Sequence, residues 1–337
     1  MRPLIVALLL TLICFDDFKT TFAEDFAYNG EMGPEHWSEH FSMCSGKHQS
    51  PINIDLVNVI SRTYQIMTFN NFGTKPVSGE MLNNGHTVVV HFEYPENRPT
   101  VSGGPLDGKF VFEQLHFHWG DNDTIGSEDR INNVSFPAEL HMVFRNDKYS
   151  TFAEAAAESN GITVLAYFYK IGENDNESYN EFTELLEEIV TPDTKAKFQE
   201  PPTLFQLTEI SITQYYTYTG SLTTPPCSED VTWIDFKTPI TISAKQMDRF
   251  RHLNTYDNTP MTHNFRPLQP LNDRTVFSSI ELTWEEDGND NDIIKGRSAK
   301  PFVDILYGGA VVTKTIDLSN MIVMLLLNLL ATTISLN

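Results

Sequence analysis

Hydrophobic and polar residues alternate in short runs through the middle of the chain, and Gly, Pro, Asn and Asp punctuate them. Residues 87–92, 109–119, 139–144, 163–169 and 231–236 are rich in Val, Phe, Tyr and Thr. Branched and aromatic side chains in that pattern read as strands. Three stretches carry helical spacing instead: 152–159, 177–190 and 243–253. The third opens with Ser243 and has Gln246 three residues on, which is the spacing of a capping box. Strands outnumber helices, and no internal repeat of solenoid period is visible. No Gly/Pro/Ser-rich linker interrupts residues 24 to 284. The pattern predicts one mainly β domain over 24–284, with a few short helices.

The pattern changes at both ends. Arg2 precedes an apolar run, Leu4 to Leu10, and Thr21-Phe-Ala23 supplies small residues at a cleavage position. This reads as a signal peptide over 1–23. Its rival, a membrane-spanning anchor, is opposed by Asp16, Asp17 and Lys19, which cut the apolar run short. After Trp284 the chain becomes acidic, with Glu285-Glu-Asp-Gly-Asn-Asp-Asn-Asp292. A run that polar suits a solvated stalk, taken as 285–308. From 318 onward there is no charge, and the small residues Gly308-Gly309-Ala310 stand upstream of a polar spacer and an apolar tail. That layout suits a glycosylphosphatidylinositol attachment signal over 309–337, removed on processing. A single spanning helix is the alternative. Either way the domain is expected to face outward, on the extracellular side of the plasma membrane.

Composition narrows the classes. The 337 residues carry 23 Lys+Arg against 45 Asp+Glu, a formal charge of −22. Such acidity argues against a nucleic-acid partner and against electrostatic attachment to anionic lipid. Sequons at Asn122, Asn133 and Asn176 are consistent with secretion. Cys14 falls in the leader, which leaves Cys44 and Cys227, to be read as one bridge or as two unrelated thiols. In an oxidising compartment a pair favours the bridge.

The chemistry centres on Gln114-Leu-His-Phe-His-Trp119 and Ala138-Glu-Leu-His-Met-Val143. On a strand, residues i and i+2 share a face, so His116 and His118 point the same way. His141 sits in a second alternating segment that an intervening turn could lay alongside the first. Three imidazoles without a thiolate suit a zinc-like ion with an open fourth position. Two hydrogen-bonded histidines on a sheet face would be the plain alternative. Gln114 shares a face with His116, and Glu139 with His141, so each could hold the second ring nitrogen of its neighbour.

With these motifs in place the chain resembles an α-class carbonic anhydrase, of the extracellular, membrane-anchored branch. The resemblance runs from about Tyr28 to Trp284. It includes Gly33-Pro-Glu-His-Trp37, Gln49-Ser-Pro-Ile-Asn53, Leu82-Asn-Asn-Gly-His86, Gly126-Ser-Glu128, Ser221-Leu-Thr-Thr-Pro-Pro226 and Asn264-Phe-Arg-Pro267. It implies a single domain around a large, twisted, mostly antiparallel central β-sheet. It also implies a zinc lyase that converts carbon dioxide to bicarbonate and a proton, with Zn2+ on His116, His118 and His141.

The other roles follow from the same resemblance. Val143, Val164, Leu222, Val231 and Trp233 would line an apolar substrate pocket, with Thr224 beside it. Thr223 would orient the attacking oxygen and donate to Glu128. His86 would shuttle protons, and Tyr28 and Asn84 would order the connecting waters. Cys44 and Cys227 would be bridged, and the bonds before Pro51 and Pro226 would be cis. A bicarbonate transporter is a conceivable neighbour. One position departs from the family: Asp129 stands where His or Asn is usual after the Ser-Glu pair. A domain that has lost catalysis and serves binding or adhesion is the alternative function, and such relatives typically lack one of the three ligands. A metal-dependent esterase is a further rival. His36, His40, His48, His91, His252 and His263 receive no role.

Overall fold

The computed structural model describes residues 26–208 and 214–279, together with the backbone of 303–307 and 310–314. Its frame is a twelve-stranded sheet. Most neighbours run antiparallel, and the parallel pairs are Ile162–Gly172 with Glu229–Ser243 and Phe277–Ser279 with Ile60–Arg62. The central strands lie in the spatial order Val88–Glu93, Lys109–Trp119, Ala138–Asn146, Ile162–Gly172, Glu229–Ser243, Tyr215–Ser221. The expected mainly β fold with few short helices is therefore present.

One irregularity decides which face carries the chemistry. In Lys109–Trp119 the register against Ala138–Asn146 steps from Phe112↔Phe144 to Gln114↔Val143, leaving Glu113 as an extra residue. A bulge of one residue reverses the parity of every side chain beyond it. Phe110 and Phe112 before the bulge, and Leu115, Phe117 and Trp119 after it, consequently enter the same core cluster. Gln114, His116 and His118 are turned to the opposite face. Simple alternation along 109–119 would have put Phe110, Phe112 and the two histidines on one side.

The opposite face has its own apolar cluster, in which Val143, Val164, Val231 and Trp233 pack with Ile52, Ile54 and Tyr218. The strand expected over 231–236 extends across Glu229–Ser243, and Pro239 is carried where the register against its neighbour shifts. An irregular stretch tolerates the missing N–H of proline.

The three expected helices are present and shorter. Phe152–Ala156 is capped by Thr151 with Glu154, and Ala244–Phe250 by Ser243 with Gln246. Within 177–190 the chain forms a 3-10 turn, the α-helix Asn180–Leu185, and a second 3-10 turn. Both bonds expected to be cis, Ser50–Pro51 and Pro225–Pro226, are cis.

Cys44 and Cys227 are bridged across 183 positions. Asn122 and Asn133 are exposed, whereas Asn176 is partly buried, its Nδ2 donating to Thr241 O at 2.8 Å and its Oδ1 accepting from Ser178. No helix among the described residues is long and apolar enough to cross a membrane. The expected leader (1–23) lies outside the described residues, as does most of the stalk and tail. Between the last two, Val303–Tyr307 and Ala310–Lys314 form a two-stranded antiparallel ladder across the expected boundary.

Candidate metal centre

The two histidine-bearing strands are antiparallel neighbours, and the register pairs His116 directly with His141. Because His118 is two residues from His116, it projects from the same face. One ring nitrogen from each of His116, His118 and His141 lies within 4.8 Å of the others.

Each imidazole is tied through its other nitrogen. His116 Nδ1 is 3.0 Å from Gln114 Oε1, and His141 Nε2 is 2.8 Å from Glu139 Oε1. Both contacts follow from the i, i+2 spacing. The third has no counterpart in local spacing: His118 Nδ1 is 2.7 Å from the backbone carbonyl of Asn264, 146 positions away. These acceptors fix the tautomers, so His116 and His118 present Nε2 and His141 presents Nδ1. His118 Nε2 is fully buried and has no hydrogen-bond partner. An orphaned buried acceptor costs free energy unless something binds it, and a divalent cation with three neutral nitrogen donors fits.

Electrostatics keep those donors neutral. Burial, then the neighbouring imidazoles, hold His116 well below the usual histidine range. Burial and His141 do the same for His118, and burial alone takes His141 down to about 3. An imidazole that resists protonation keeps its lone pair for a metal.

Beside the cluster stands Glu128, its Oε2 3.4 Å from His118 Nε2. Burial raises its pKa well above the carboxylate range, while the Arg266 N–H and the Thr223 hydroxyl pull the other way. The Arg266 N–H reaches Glu128 Oε1 at 2.8 Å. A Cβ at Gly126, which precedes this loop, would sit 2.0 Å from Pro137 O, so only glycine permits the approach.

A cleft of about 1270 Å³ opens onto this point, and Gln114, His116, His141, Val143, Val164, Leu222, Thr223, Thr224 and Trp233 are among the residues lining it. Val231 is buried behind this wall with Val143 and Trp233. The ring of Trp233 meets His141 edge-on at 4.8 Å. The disulfide lies close by: Cys227 N donates to Thr224 O at 2.9 Å, closing the turn that follows Thr223.

His86 occupies a different setting from the cleft wall. It is 7% exposed, stacks on Phe26 at 4.1 Å and meets Tyr256 edge-on at 5.8 Å. Asn84 Oδ1 accepts from the N–H groups of His86 and Thr87, so its partners here are the backbone of that loop. Tyr28 packs edge-on against Phe26 and Trp37. Asp129, the departure from the family pattern, is fully buried and accepts from Ile52 N at 2.6 Å and from Tyr218 OH.

Sequence reasoning gave no role to Asn264, which organises the site. Its Oδ1 accepts from Trp119 N, its Nδ2 donates to His86 O and Phe117 O, and its carbonyl takes His118. Only its place in the Asn264-Phe-Arg-Pro267 motif pointed to it, because a backbone carbonyl leaves no mark in residue type.

Residues 32–280 match the family model for eukaryotic-type carbonic anhydrase. The chain is 40% identical over 263 residues to carbonic anhydrase 7 of Mus musculus, covering 76% of this chain and 97% of that protein. It is equally similar to carbonic anhydrase 7 of Homo sapiens, with the same coverage. Against carbonic anhydrase 3 of Homo sapiens the identity is 37% over 268 residues, covering 77% of this chain and all of the relative.

Proposed function

The chain belongs to the eukaryotic-type carbonic anhydrases, and on that premise we propose that it is a zinc lyase hydrating carbon dioxide reversibly at the outer cell surface. The observation that carries the metal reading is the buried, unpartnered Nε2 of His118, gathered with one nitrogen each of His116 and His141. Zinc held by these three would supply the Lewis acidity that makes water nucleophilic near neutral pH.

The rest is done by the chain itself. Thr223 spends its proton on Glu128, which leaves its oxygen to accept from the attacking water and fix its orientation. Val143, Val164, Leu222 and Trp233 give carbon dioxide a wall without polar groups, with Thr224 at its edge. His86 takes the released proton toward solvent, a task suited to a side chain with an ordinary pKa of about 6.5. Binding-module relatives typically lack one of the three ligands, whereas here all three histidines are present and converge.

The decisive measurement is stopped-flow hydration of carbon dioxide on protein of known zinc content. Zinc-loaded protein no faster than buffer would exclude the enzyme reading at this site. For the shuttle, His86→Ala should slow turnover in weak buffer and be relieved by added imidazole. Unchanged turnover would remove His86 from the route.

The Cys44–Cys227 bridge supports an oxidising compartment. With the leader and tail patterns it favours a lipid-anchored extracellular domain, in a position to feed a neighbouring bicarbonate transporter. Release from intact cells by a phosphatidylinositol-specific phospholipase is the expected result, and retention points to a spanning helix.

A further inference from the structure

Glu139 also belongs to a second cluster, whose other members the proposed reaction does not use. Asp129, Glu139 and Asp235 each contribute a carboxyl oxygen to a group within 4.8 Å, and all three residues are fully buried. Asp235 reaches it because it shares the sheet face of Trp233, two residues away, and pairs across to Ala166, the partner of His141. No cationic side chain among the described residues contacts the group. Arg274, whose charge acts on Asp129, spends N–H groups on the carbonyls of Leu271, Thr219 and Pro270.

The hydrogen-bond donors are distributed unevenly. Glu139 Oε2 accepts the N–H groups of Glu128 and Asp129 at 2.9 and 3.0 Å, and Oε1 faces His141. Asp129 Oδ1 accepts Ile52 N–H, and both its oxygens lie 3.1–3.2 Å from Tyr218 OH. Neither oxygen of Asp235 receives a donor from any described residue. A carboxyl oxygen of Asp129 lies within 4.8 Å of one of its own. Carboxyl groups this close in a dry interior cannot all ionise, and two of them can share a hydrogen bond only if one carries a proton. Asp235 is the member of the group without a donor, so it is the one left to hold a proton.

We propose that Asp235 is a protonated carboxylic acid that donates to Asp129, and that this pair is a positioning unit for the metal centre. Asp235 fixes the Asp129 carboxylate, Asp129 fixes the turn whose N–H groups hold Glu139, and Glu139 holds His141. The groups facing the pair are Glu139 from the His141 strand, Glu128 from the same turn, Tyr218 from the adjacent strand and Arg274 from the C-terminal loop. The departure at Asp129 thereby has a partner in Asp235, and the two acids form one device. The positioning half rests on the zinc reading, while the shared proton does not.

The test uses the folded full-length protein with carbon-13-labelled aspartate. Infrared spectra should show one buried aspartic acid C=O band near neutral pH, absent from Asp235→Asn. Absence of the band in the wild type, or its persistence in Asp235→Asn, overturns the shared proton, and so does a second tightly held divalent cation that Asp235→Asn removes. For positioning, the readout is the rate of zinc loss to a chelator. Asp235→Asn keeps a donor to Asp129 and should release zinc within about threefold of the wild type, whereas Asp235→Val should release it at least about tenfold faster. If Asp235→Val holds zinc like the wild type, or Asp235→Asn loses it as fast as a valine variant, the pair does not position the centre. Should Asp235→Val fail to fold, Asp129→Asn gives the same comparison. A protein that binds no zinc at all refutes the metal reading and leaves the infrared result to judge the proton.

Discussion

Glu139 Oε1 sits 2.8 Å from Nε2 of His141, two residues further along the same strand, and so turns Nδ1 of that ring toward His116 and His118. The strand period alone places the carboxylate there, and the contact fixes the tautomer. Glu139→Gln should keep the shape and replace the carboxyl by an amide. Zinc affinity, measured against a competing chelator, is expected to fall about 10- to 100-fold. An affinity equal to that of the wild type would show that the carboxylate does not tune His141.

His118→Ala removes the nitrogen that is buried without a partner. The variant should fold with its disulfide intact, and metal analysis should find it without stoichiometric zinc. Full zinc occupancy would mean that the metal is held elsewhere.

Acid should weaken the metal-free chain through His141. Its pKa is about 3 when folded and about 6.5 in an unfolded chain. Between those values only the unfolded state binds the proton. Stability is therefore complete above about pH 6.5 and falls as the pH drops, by up to about 1.4 kcal/mol per unit for this group. Buried acids such as Glu139, raised to about 8, contribute with the opposite sign. Comparison with His141→Asn isolates the effect: the difference in urea midpoints should narrow from pH 7.5 to 5. A constant difference would contradict it.

The Cys44–Cys227 bridge closes a span of 183 positions and anchors the turn after Thr223. Replacing both cysteines by serine should cost about 2–5 kcal/mol in denaturant unfolding. Turnover per bound zinc should fall as well, because the turn carrying Thr223 loses its tether. An unchanged midpoint would argue that the bridge adds nothing to stability.

Sequon use should follow exposure. Asn122 and Asn133 are open, while the Asn176 side chain caps a 3-10 turn and donates to Thr241 O. Enzymatic deglycosylation with mass spectrometry on protein expressed through the secretory pathway should find sugar at the first two and little at Asn176. Full occupancy at Asn176 would mean that the sugar is added before this turn forms.

Much of the site was legible because it rests on the period of a strand. Gln114 with His116, and Glu139 with His141, are same-face pairs at i and i+2, and both are hydrogen-bonded. The capping box at Ser243 and Gln246 was equally local. The helix expected over 177–190 was less so, since only its middle turns are α-helical.

The sequence by itself determined which donors share a strand face, and their chemistry: three imidazoles, two partners and a wall of Val, Leu and Trp. Tertiary structure alone decided that Glu113 is bulged, which sends Phe110 and Phe112 to one core and the histidines to the other face. It also decided that His116 meets His141, that an Asn264 carbonyl completes His118, and that Asp235 comes to rest against Asp129. Local periodicity encodes direction within one strand. Register between strands, and contacts with backbone atoms far along the chain, depend on how the whole sheet closes around its core.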